Sequence, residues 1–206
     1  LENQSFFPNY LDSIVRFTRL PGVEIVPGQG EARPFKNRGF DYSRSEGYIN
    51  YKINNNLTIQ FGHGKHFIGN GYRSLILSDN TFSYPFLRLQ TNLGIFRYTN
   101  LYTEFMDIRN NQLSIIDGYQ GWSRKYMSLH FLECEINDRI KIGVFESIIY
   151  AENHAPGVSS LDINYLNPII FYRPVEYSLG SPDNALIGID LKINTSKKQF
   201  LYGQFI

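Results

Sequence analysis

LTIQFGHGKHFIGNGYRSLILSDNTFSYPFLRL, residues Leu57 to Leu89, decides how this chain is read. It opens with Leu57, Ile59 and Phe61 alternating with Thr58, Gln60 and Gly62, the period-two signature of a strand with two unlike faces. It closes in a second strand-like run that ends at Leu89. Between the two lies a loop carrying Gly, Asn and His that is too aromatic to be a plain linker. Strand, elaborate loop, strand is the unit, and the rest of the chain repeats it.

Working outward, Ile49, Tyr51 and Ile53 alternate with Asn50 and Lys52 before Asn54-Asn55-Asn56 turns the chain into Leu57, a tight hairpin with one apolar face. Phe86 to Gln90 and Ile95 to Met106 make a second pair about a turn near Asn92 to Gly94, with large residues on both sides of the longer strand. Tyr126 to Ile136 and Ile140 to Ile149 form a third about Asn137-Asp138. In the fourth, Ile187, Ile189, Leu191 and Ile193 alternate with Gly188, Asp190, Lys192 and Asn194, and Thr195-Ser196-Lys197 leads into Gln199 to Ile206.

Those four turns are short, whereas the links at 63–85, 107–125 and 150–185 are long, and short alternates with long without exception. In an antiparallel meander this gathers the short turns on one rim and the long loops on the other, the asymmetry of outer-membrane barrels. Alternation alone also fits a soluble sandwich; long structureless loops inside a compact soluble domain are uncommon. The expected fold is all-β, an antiparallel transmembrane β-barrel with about eight strands visible. Residues 1–46, punctuated by Pro21, Pro27 and Pro34 with Gly22, Gly28, Gly30 and Gly39, read as an irregular, plug-like segment, with a short helix across Tyr10 to Phe17 capped by Asn9. Residues 47–206 are the barrel strands. The missing leader fits either a mature form or an excised piece, and a last strand running to Phe205-Ile206 without a closing turn makes part of a larger barrel the expectation.

Composition agrees. Aromatic residues make up 16% of the chain and charged residues only 19%, against roughly 25% in ordinary globular proteins. This suits a barrel wall with aromatic girdles. With 20 Lys+Arg against 19 Asp+Glu the net charge is +1, which gives no footprint for nucleic acid. The single Cys134 excludes an internal disulfide framework and argues against a thiolate zinc site. No run of about 18 apolar residues is present, which rules out a transmembrane helix and leaves strands as the means of spanning.

Candidate chemistry is sparse, and neither a cofactor nor a metal is expected. His63 and His66 lie three apart but need not converge from a strand and a loop, and hydrogen-bonded structural roles explain them. Gly69-Asn70-Gly71 has no following helix to make a phosphate cradle and reads as loop turns using positive φ. Ser74, Ser78, Ser159 and Ser160 lack a nucleophile elbow. Glu133 and Glu135 share a strand face, as the acids of a glycoside hydrolase can, but a polar lumen wall accounts for them. Arg88, Lys141, Asp190 and Lys192 are the lumen-facing candidates. In the loop from Ala151 to Asn184, Tyr165, Phe171, Tyr172 and Tyr177 with Asn164, Asn167 and Arg173 can either stack and hydrogen-bond a sugar or pack the loop on itself. Tyr165, Tyr172, Arg173 and Asn167 are the glycan-binding candidates.

FIGNGYRSLILSDN (Phe67 to Asn80), YLNPIIFYRPVEYSLGSPDNALIGIDLK (Tyr165 to Lys192), FPNY (Phe7 to Tyr10) and IVPGQG (Ile25 to Gly30) together resemble the capsule-assembly Wzi family of outer-membrane barrels, in particular its gliding-motility-associated branch. Phe67-Ile68-Gly69-Asn70-Gly71 stands where capsule-anchoring members carry a Trp-Gly-Pro-Gly-like run. The resemblance implies a non-enzymatic barrel of the cell outer membrane that helps surface polysaccharide assemble or attach, or serves a motility or envelope complex. Its implied partners are outer-membrane lipid, surface polysaccharide and envelope proteins. A porin-like channel for small solutes is the alternative, and a soluble β-sandwich glycoside hydrolase a more distant one.

Overall fold

A computed structural model describes residues 24–26, 28–36, 39–107, 114–116, 119–121, 123–151, 163–169 and 183–206. The expected helix across 10–17, the FPNY string, Ser159, Ser160, Phe171, Tyr172, Arg173 and Tyr177 lie outside the described residues. The Pro/Gly-punctuated segment contains a small antiparallel meander of β1 (Glu24–Val26), β2 (Gly30–Phe35) and β3 (Gly39–Tyr42). Gly28 holds its turn at φ 75°, a conformation that favours glycine.

The main sheet contains β4 (Gly47–Lys52), β5 (Leu57–Gly64), β6 (Tyr84–Leu93), β7 (Phe96–Asp107), and, after a small hairpin of β8 (Ser114–Ile116) and β9 (Tyr119–Gly121), β10 (Ser123–Glu135), β11 (Ile140–Ala151), β12 (Asn184–Ser196) and β13 (Gln199–Phe205). Its eight strands run in the order β13-β12-β11-β10-β7-β6-β5-β4, every neighbouring pair antiparallel. The protein is therefore all-β with one antiparallel meander, and within the described residues β4 and β13 are its two edges. The short turns lie side by side at one end, where Asn92 N donates to Asn56 O, Glu135 N to Ile95 O and Asn194 N to Arg139 O. The long links all leave from the other end.

Register gives the sheet two unlike faces. One carries Arg88, Arg97, Leu101, Leu129, Phe131, Glu133, Lys141, Phe145, Asp190, Lys192 and Gln204. Residues 65–83 lie over this face as a strap, and Ile68, Ile76 and Leu77 from the strap complete an apolar cluster with Tyr84, Phe86, Leu101, Met127, Leu129, Phe131 and Phe145. The alternate residues Gly188, Asp190, Lys192 and Asn194 make β12 polar or small on this face, but that pattern does not extend over the whole face, because β7 and β10 supply large apolar residues where the strap sits. The opposite face presents Ile49, Phe61, Leu93, Phe96, Val144, Ile187, Ile189 and Phe205 to the surroundings, Ile187 at 55% and Phe205 at 76% exposure. The mixed register of β7 resolves here: Phe96, Tyr98 and Tyr102 share this outer face, and Leu101 and Phe105 the strap face.

Aromatic rings on the strap face rest on glycines of the next strand. Phe131 packs over Gly143, and Phe145 over Gly188, which also lies under the Phe205 carbonyl. A Cβ on either glycine would displace a buried ring or backbone, whereas Gly203 has nothing within 4 Å of its Cβ position. Gly188→Ala is expected to lower stability by about 1–3 kcal/mol, and Gly203→Ala by no more than about 0.5 kcal/mol, in denaturant or thermal unfolding of the full chain.

Candidate functional site

The densest side-chain network joins the strap to strands far from it in sequence. The strap leaves β5 at Gly64 and returns at Tyr84, yet its tip reaches across to β10, β12 and β13. Asn70 is the junction. Its backbone N–H donates to Asp190 Oδ1 at 3.2 Å, and its side-chain amide donates to Asp190 Oδ2 at 2.5 Å and Glu133 Oε2 at 3.1 Å. Gln204 Nε2 donates to Asp190 Oδ1 at 2.8 Å and to Ser74 Oγ at 3.3 Å, while Gln204 Oε1 accepts from Leu75 N at 2.7 Å. Arg97 pairs with Glu133 at 3.3 Å. Asp190 is fully buried, so these donors stand in for the water its carboxylate has lost.

Local backbone makes the junction fit. Gly69 has φ 127°, and both Gly69 and Gly71 lie flat against β13 side chains, Gly69 beside Gln204 and Gly71 under the Tyr202 ring. Positive φ was expected of these glycines and holds at Gly69. The strap base is also tied. Lys65 Nζ donates to Gly28 O, which joins the strap to the small sheet. Ser83 Oγ donates to Glu46, whose carboxylate Arg44 also grips through two bonds of 2.9 and 2.8 Å. Hydrogen bonds from Arg44 and Ser83 hold the Glu46 pKa down at about 2.

The four lumen-facing candidates, Arg88, Lys141, Asp190 and Lys192, all fall on the strap face. Only Asp190 joins the Asn70 network. Lys141 pairs with Glu135 at 2.8 Å, Arg88 donates to Gln90 Oε1 at 2.6 Å, and Lys192 lies 4.8 Å from the Phe200 ring centroid. Glu133 and Glu135 share this face, but each is engaged by its own cation, and Glu133 by Asn70 as well.

The glycan candidates separate. Tyr165, in a 3-10 turn at Ile163–Leu166, is 1% exposed: its ring packs 4.9 Å from that of Tyr150, and its hydroxyl donates to Asp183 Oδ2 at 2.7 Å. No ring face is left for a pyranose. Asn167 is exposed, and its carbonyl lies 3.1 Å from His130 Nε2. With Tyr102 donating to Leu166 O and Tyr98 to Pro168 O, three successive carbonyls latch residues 163–169 onto the outer face of the sheet, above buried Asn100, Ser128, His130 and Glu146. Tyr172 and Arg173 lie outside the described residues.

His63 and His66 do not converge. His63 Nδ1 lies 2.9 Å from the Ser45 carbonyl, while His66, in the strap, packs edge-on against Phe86 with ring centroids 4.2 Å apart. Among the described residues no group of three His, Cys, Asp or Glu side chains is placed to hold a metal ion. Sequence reasoning missed Asn70 and Gln204 as polar anchors, since nothing local announces partners 120 or 130 residues away. No family model, curated protein or solved structure matches the chain.

Burial beside Phe86, with Arg88 nearby, lowers the His66 pKa to about 4, against 6.5 when solvated. The unfolded chain therefore binds a proton between these values that the folded strap refuses, so stability is full above about pH 6.5 and declines as pH falls toward 4. Amide hydrogen exchange of residues 65–83, corrected for intrinsic rates, should accelerate from pH 7 to pH 4.5. His66→Gln should remove most of that dependence.

Proposed function

We propose that this chain forms wall strands of a non-enzymatic β-barrel in a bacterial-type outer membrane, with a role in assembling or attaching surface polysaccharide or in a surface-motility or envelope complex. The observation that carries the barrel part is the outer face: large apolar side chains exposed along β4, β5, β11, β12 and β13 on one side of an antiparallel sheet whose other side carries the buried core beneath the strap. Water disfavours such a surface and lipid accepts it. Strands β6, β7, β10, β11 and β12 have 10 to 13 residues, enough for the roughly 9–11 that a tilted strand needs to cross the hydrocarbon core. His130, fully buried on this face, lies 3.1 Å from the Asn167 carbonyl, so residues 163–169 supply this polar group with the partner a lipid-facing wall requires.

The polysaccharide role rests on the resemblance of Phe67 to Asn80 and Tyr165 to Lys192 to the Wzi family. Tyr165 leaves the list of ligand contacts, because it is loop core; exposed Asn167 stays, and Tyr172 and Arg173 remain candidates. The strap packed over the inner face favours a closed barrel over a standing diffusion channel.

Expressed in its full-length form, the protein should fractionate with outer membranes, require detergent for extraction and migrate differently on gels with and without heating. Ile189→Arg, on the outer face, should cost about 2–4 kcal/mol of membrane-inserted stability, and Lys192→Arg almost nothing. Clean monomeric solubility without detergent would overturn the barrel reading. Unchanged surface polysaccharide in a deletion strain would remove the polysaccharide role and leave the barrel standing.

A further inference from the structure

We infer that residues 65–83 are a gate: a strap latched across the inner face by Asn70, whose release opens an anion-preferring path through the barrel. The inference rests on the barrel reading and adds a moving part and a solute class to it.

The latch is polar, and it lies at the strap's tip. Asn70 and Gln204 hold Asp190, and Asn70 also holds Glu133, so one amide is shared between two carboxylates on β10 and β12. Both strap ends continue directly into β5 and β6, so the tip can leave β10, β12 and β13 without breaking a strand pairing, although Ile68, Ile76 and Leu77 must then withdraw from the apolar cluster. The glycines at 69 and 71, flanking the junction, carry no side chain into the wall. Asn70 is thus the place where a small change in charge acts on the whole strap.

Charge on the face beneath determines what would pass. Its described carboxylates are all engaged: Glu133 by Arg97 and Asn70, Glu135 by Lys141, and Asp190 by Asn70 and Gln204. Lys52, Arg88 and Lys192 have no carboxylate at ion-pair distance among the described residues. Asp190 keeps its negative charge, since its partners are neutral amides, so three cations without a counter-ion stand against one such carboxylate, an excess that favours anions.

The test is conductance of the purified full-length protein in planar bilayers under a potassium chloride gradient. Wild type should be electrically silent. Asn70→Asp puts a third carboxylate against Glu133 and Asp190 and should raise conductance at least about tenfold, with a reversal potential on the chloride side. Combining it with Asp190→Asn restores an amide–carboxylate pair in the reverse sense and should reclose most of the path. Asn70→Ala, which adds no charge, provides the open variant if Asn70→Asp does not fold. A conducting wild type, silent variants that still shift on heating, a path without chloride preference, or failure of the reversed pair to reclose would each overturn the gate. Loss of the heat shift in wild type as well would instead remove the barrel reading on which the gate rests.

Discussion

A buried carboxylate must be supplied with donors, and the way Asp190 obtains them organises this molecule. It sits on β12, fully enclosed, and its hydrogen bonds come from the backbone and side chain of Asn70 in the strap and from Gln204 on β13. Hydrogen bonds to a charged group contribute roughly 1.5–3 kcal/mol each, so the three tie distant parts of the chain together more firmly than their number suggests. Because Asn70 also reaches Glu133, and Glu133 reaches Arg97, the tie runs across β7, β10, β12 and β13. The apolar cluster of Ile68 and Ile76 with Leu101, Leu129 and Phe145 lies beside this tie and holds the same strap to the same face.

The same sheet solves a different problem on its other side. There the strands leave large side chains uncovered, apart from the patch where the carbonyls of Leu166, Asn167 and Pro168 accept or face side-chain donors from Tyr102, His130 and Tyr98. Buried Tyr102 and His130 thus receive partners from a loop, and the Arg124–Glu104 ion pair aside, the large exposed side chains of this face are mostly apolar. One face is thus partly covered and tied by polar bonds, and the other exposes mainly large apolar side chains. Glycines at 143 and 188 let Phe131 and Phe145 lie flat between strands, which thickens the inner packing without lengthening the strands.

Much of this was legible in the sequence wherever the periodicity is local. The hairpin about Asn54 to Asn56, the turn at Asn137 and the alternation from Ile187 to Asn194 were assigned to the right strands and faces, because each pattern is complete within about a dozen residues. The strand ends moved by a few residues, as at β12, which runs on to Ser196. The small sheet from Glu24 to Tyr42 was hidden by its prolines and glycines, which mark its turns as strongly as they would mark loop. The network at Asn70 was not legible at all. An Asn between two glycines reads as a turn, and its partners lie 63 and 120 residues downstream. Tyr165 illustrates the reverse case: an aromatic in a long loop suggested a ligand surface, and instead it is the loop's own core.

The central claim is that the two faces of this sheet meet different solvents. The most direct measurement is a single-cysteine scan of residues 187 to 193 in β12, with Cys134 replaced by Ser, each site labelled with an environment-sensitive fluorophore in reconstituted vesicles and challenged with a lipid-confined quencher. The account predicts strong quenching at 187, 189, 191 and 193 and weak quenching at 188, 190 and 192, the alternation of a strand with one face in lipid. Uniform quenching, or uniform access to a water-soluble quencher at all seven positions, would contradict it.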